Sequence, residues 1–170
     1  MATPTKLNIL CSLLMASLFG YSASVQLDDS DWYFWFSLYG GACVVNLVNW
    51  AISSKAIKHV AEGALWLGIF LFIRVIAEST LVDGVSGFWS LDLSERVIRE
   101  KIGSGLVIIS MILQLTASSL EAPPHKQQNK FPRYVEYGEN WNLTGMAILV
   151  GFSYGLPFVF FVVQKGELKF

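Results

Sequence analysis

The stretch QLDDSDWYFWF, residues 26–36, sets three aspartates against a wall of aromatic rings. Runs 7–25 and 32–52 on either side contain no Asp, Glu, Lys or Arg. Carboxylates enter hydrocarbon only at high cost, so Asp28, Asp29 and Asp31 fix where one membrane-spanning helix ends and the next begins. Trp32, Tyr33, Trp35 and Tyr39 then fall where amphipathic rings belong, at headgroup depth. The stretch reads first as a turn at a membrane surface, and the rest of the chain must agree with that reading.

Composition agrees. The 170 residues are 54% hydrophobic and 15% charged, against about 25% charged in an ordinary soluble domain. Mean hydropathy is +0.50. A net charge of −1 offers no basic field to nucleic acid. Cys11 and Cys43 both lie in apolar runs, where a thiol behaves as a small hydrophobe.

Working outward, a bilayer core of about 30 Å needs roughly 20 apolar residues per helix. Five runs qualify, at about 7–25, 32–52, 59–77, 102–120 and 143–163. The expected fold is all-α, a polytopic transmembrane helix bundle forming a single domain over 1–170, with extramembrane loops 78–101 and 121–142. Short connections make the first three helices antiparallel neighbours. Asp92 or Ser94, with Glu95 three after Asp92, marks a helix start. A short interfacial helix is therefore expected before the fourth span. Residues 121–142 hold three of the five prolines without an apolar period and read as loop.

Lysines and arginines near the span ends place the N-terminus in the cytosol. The sequon at Asn142 abuts a span and faces the cytosol in that orientation, so no glycan is expected. The first run could also be read as a secretory signal peptide, with Lys6 ahead of it and a small-residue cleavage site near Ser24. Against that stands the four-residue repeat of Ser12, Ala16, Gly20 and Ser24, a packing face that a discarded segment would not need.

Arg74 is an arginine inside a span and is expected to face a partner. Glu78 at i+4 is the simplest one, the three aspartates are alternatives across the helix gap, and snorkelling to the surface needs none. Asn46 and Gln114 fall at similar depths, where an interhelical hydrogen bond would act as packing glue. Gly151 and Gly155 form a GxxxG face, and Pro157 should bend the fifth helix. His59 and His125 lack neighbours at ligand spacing, so neither a metal site nor another cofactor is expected.

The pattern SVQLDDSDWYFWFSLY resembles the signature that follows the first helix of the transmembrane protein 220 family, and GSGLVIIS resembles the start of that family's fourth helix. Gln26, Asp29 and Asp31 match the first motif; Gly105, Leu106, Val107 and Ile108 match the second. Asp28 stands where the family has Asn and Ser30 where it has Pro, while Arg99 and Glu100 lie a little further ahead of the glycine. The resemblance implies a small multi-pass membrane protein and transfers no activity.

Three functional classes follow. A structural or accessory protein needs only the packing faces and is the first expectation. A small transporter or channel would need a polar path at midplane. A membrane-surface enzyme would use Asp28, Asp29, Asp31, Arg74, Arg99 and Glu100 with Glu78 nearby. The expected partners are the lipid bilayer and another membrane protein or a second copy met on small-residue faces, with no nucleic acid.

Overall fold

A computed structural model describes residues 6–28, 31–48, 55–87, 96–120 and 132–167. They form five helices: α1 Lys6–Val25, α2 Trp32–Val48, α3 Lys55–Gly87, α4 Arg96–Leu120 and α5 Pro132–Glu167. One 3₁₀ turn, Gln26–Asp28, closes α1, and no strand occurs among the described residues. Four of the helices are long and apolar enough to cross a membrane, and α2 is a shorter apolar helix of 17 residues.

Three helices outrun their expected spans. α3 has 33 residues, about 50 Å at 1.5 Å per residue, so it exceeds the hydrocarbon thickness by several turns. α4 is helical from Arg96, so residues from 96 onward that are expected in the short interfacial helix running into the fourth span are continuous with α4. α5 begins at Pro132, so 132–142, read as loop from its prolines, is largely helical. Proline suits that first position because its missing N–H would have no intrahelical acceptor there.

The helices alternate in direction. α1 ends, α2 begins and α4 begins at the face marked by Asp31, which contacts Arg96 in the first turn of α4. α5 runs toward the same face: Gly145 lies against Leu113 near the far end of α4, whereas Pro157 shares a cleft with Gln26 and Arg99. α3 packs mainly on α4 and α1 on α2, while α5 closes against α4 and α1.

The core is built on helical spacing. α1 buries Cys11, Met15, Phe19 and Ala23, and α2 buries Trp35, Leu38, Ala42 and Val45. Lipid is as apolar as leucine, so these faces gain their stability from close contact more than from escaping water. Gly68 provides one such contact, since a Cβ there would stand 3.2 Å from Ile108. Gly103 provides another, where a methyl would overlap the hydroxyl of Tyr39. Tyr39 stacks between Phe19 and Trp35, with ring centroids 6.4 and 6.1 Å away. The headgroup-depth reading of the aromatics therefore divides. Trp32 and Tyr33 face outward, while Trp35 and Tyr39 turn into the bundle.

The proposed packing stripe of α1 also divides. Ser12 and Ala16 are buried and Gly20 approaches Cys43, but Ser24 is exposed and its hydroxyl bonds back to the Tyr21 carbonyl at 2.7 Å. A four-residue step advances the helix by about 400°, so each repeat drifts roughly 40° around the axis. By the third step the stripe has left the interface, and Ala23 takes the buried position. On α5, Gly151 and Gly155 meet no neighbour within 4 Å. The GxxxG spacing is real, but α5 packs through Met146, Leu149 and Ser153 instead.

Candidate functional site

Asp31 immediately precedes α2, where its carbonyl accepts a bond from the Phe34 amide at 3.2 Å. A negative charge at this position is favoured by the positive end of the helix dipole. Arg74 is the twentieth residue of α3, about 29 Å along a helix that starts at the opposite face. That distance is one hydrocarbon thickness, so the guanidinium reaches the level of Asp31.

The two meet. Arg74 Nη1 donates to Asp31 Oδ2 at 3.3 Å, and Trp35 Nε1 donates to the same oxygen at 3.4 Å. Asp31 Oδ1 accepts from Arg96 Nη2 at 2.8 Å, and Arg96 Nε donates to Glu100 Oε1 at 2.6 Å. One carboxylate thus joins the start of α2 to α3 and α4. The arginine side chains remain 46% exposed, while those of Asp31 and Glu100 are 18% and 8% exposed. The cations stay half exposed at this face while the acids are held against protein. Among the described residues, two carboxylates and two guanidiniums of this cluster balance.

Two other expected members, Glu78 and Arg99, lie apart from these contacts. Glu78 is exposed, and the acid that Arg74 meets is Asp31. Asp28 ends the 3₁₀ turn, and Asp29 lies outside the described residues. Arg99 lines a cleft between α1, α4 and α5. Arg96 was not among the expected members. Its signal was present in the sequence, because Arg96 and Glu100 are four apart and therefore share a face once the helix is continuous from 96.

Deeper in the bundle, Gln114 Nε2 donates to Asn46 Oδ1 at 3.0 Å and to Ser12 Oγ at 3.2 Å. Asn46 Nδ2 donates to Ser110 Oγ at 3.1 Å and to the Ala42 carbonyl at 2.9 Å. All four side chains are buried, with Asn46 at 0% exposure. This network ties α1, α2 and α4 about 20 Å from the Asp31 face and leaves the Asn46 amide bonded at both ends.

His59 and Glu62 form an exposed pair at 3.4 Å on the first turns of α3, while His125 lies outside the described residues. Among the described residues no group of three or more His, Cys, Asp or Glu could hold a metal ion. Cys11 and Cys43 are free thiols packed in the bundle.

Compared with curated proteins and with solved structures, the chain matches none. The model of the family described as transmembrane family 220, helix, matches residues 18–116, more than half the chain. That stretch begins in α1, carries Asp31, Asn46, Arg74 and Arg96, and ends just beyond Gln114 in α4. This multi-pass integral membrane protein belongs to the transmembrane 220 family.

Proposed function

We propose that the protein is a structural or accessory component of its membrane, with its N-terminus in the cytosol. The observation that carries this reading is where the intramembrane polar groups point. Asn46, Gln114, Ser12 and Ser110 bond to one another between helices and bury their polar atoms. At the membrane face, Asp31 is engaged by Arg74 and Arg96 together. A solute path requires polar groups that exchange partners with a passing ligand; here the buried polar groups bond to one another and hold the bundle together.

The test is flux. Purified protein reconstituted into liposomes should leave proton, potassium and chloride permeability at the level of protein-free vesicles. A flux that disappears in a folded Asn46→Leu variant would replace the accessory reading with a transport one.

A further inference from the structure

Between α1, α4 and α5 lies a cleft of about 440 Å³, within the volume range of ligand sites. Its walls follow helical faces: Leu18 and Val25 on α1, Ile102 and Leu106 on α4, Phe152 and Leu156 on α5. Below it α1 and α5 are pinned, with the Tyr154 hydroxyl donating to the Leu14 carbonyl at 2.8 Å and lying 2.9 Å from Ser17 Oγ. Above the pin the helices leave a gap, lined on the α5 side by Pro157. Proline there lacks the N–H that would bond the Ser153 carbonyl one turn back.

Polar groups gather at one end. Ser22, Gln26 and Arg99 line the end nearest the Asp31 face, and among the described residues of the lining Arg99 is the only charged side chain. No acid is among the described residues of the lining. The Tyr39 hydroxyl lies in its floor beside Gly103; Tyr39 is 3% exposed, and among the described residues none hydrogen-bonds that hydroxyl. The cleft opens sideways between helices whose residues Tyr21, Val25 and Phe152 are exposed, as lipid-facing side chains of a span would be. An apolar slot, open to the bilayer, with a cation at headgroup level has the shape and charge of one kind of ligand.

We propose that this cleft binds one anionic phospholipid, with an acyl chain along Leu18, Leu106 and Phe152 and the phosphate at Arg99. The guanidinium has five donors, so it can take a phosphate oxygen while keeping a protein contact. Gln26 and Ser22 supply further donors at the same level. This site is independent of the accessory reading: a flux measurement leaves it untouched, and its own test does not measure transport.

The test uses the full chain in detergent, with thermal shift and native mass spectrometry reading binding of palmitoyl-oleoyl phosphatidylglycerol and its phosphatidylcholine counterpart. Phosphatidylglycerol should raise the melting temperature and persist as a one-to-one adduct, while phosphatidylcholine should do neither. Arg99→Gln should bind phosphatidylglycerol about tenfold more weakly, as expected for loss of a charge-assisted contact. Lys101→Gln makes the same change in net charge one turn-face away and should bind as the parent does. Ser22→Phe, which fills the cleft and leaves every charge in place, should also lose the adduct, so the proposal survives a failure of either variant to fold. Equal binding of the two lipids, or equal losses in Arg99→Gln and Lys101→Gln, would overturn the proposal. Displacement of phosphatidylglycerol by equimolar oleate would also overturn it, because the occupant would then be a free fatty acid.

Discussion

Arg96 and Asp31, 65 positions apart in the chain, meet at 2.8 Å where α4 begins beside α2. Arg74 holds the other oxygen of the same carboxylate, so Asp31 is the shared member of two interhelical ion pairs. Sharing makes the three residues energetically unequal.

Asp31→Asn should therefore destabilise more than Arg74→Leu, because it leaves two guanidiniums without this acid rather than one acid with a single arginine. With the arginines half exposed, solvent screens part of the loss, and about 1 to 2 kcal/mol is expected for the aspartate change. Thermal unfolding in detergent measures both. The double variant should lose less than the two single losses added together, since the residues share one contact. Strict additivity would mean that the pair contributes nothing.

The buried amides give a second prediction. Asn46→Leu removes bonds to Gln114 and Ser110 at once. Interhelical hydrogen bonds in membranes average about 0.6 kcal/mol, so about 1 to 2 kcal/mol should be lost. Ser110→Ala removes one of those partners and should cost less. The same unfolding assay would contradict the network if Ser110→Ala proved as harmful as Asn46→Leu.

Two glycines should behave oppositely when changed to alanine. At 103 the new methyl overlaps the Tyr39 hydroxyl, whereas at 151 it meets nothing within 4 Å. Gly103→Ala should cost about 1 to 3 kcal/mol by overpacking, while Gly151→Ala should be near neutral. Adding Tyr39→Phe should recover part of the first loss. Folded yield and melting temperature report all three.

A tag at each end of the chain should report opposite sides of the membrane under protease protection, the N-terminal one in the cytosol. Detection of both tags on one side would remove the five-span topology.

The meeting of Arg74 and Asp31 could be anticipated because rise per residue and alternating helix direction fix depth without knowledge of rotation. Rotation was the harder quantity. The repeat from Ser12 to Ser24 and the spacing of Gly151 and Gly155 both suggest a face, yet neither says which neighbour lies opposite. Helical drift carries Ser24 out of contact, and α5 turns Ser153 inward, which leaves its glycines open. Arg96 was missed for a related reason. The sequence does not show that the helix is continuous from 96 into the fourth span at one angular register, and that continuity is what sets Arg96 beside Glu100 and toward α2. The cleft left no local pattern, since its walls come from three separate helices, α1, α4 and α5.

The Ser12–Asn46–Ser110–Gln114 network also sets an order on biosynthesis. α1 and α2 leave the ribosome with Ser12 and Asn46, but Ser110 and Gln114 arrive only with α4. An inserted intermediate holding only three helices has already gained the Arg74 partner of Asp31, yet it must hold Asn46 in the membrane without its interhelical partners. Commitment to the final bundle therefore waits for the fourth insertion, and a chain arrested before residue 110 should be the species that quality control recognises.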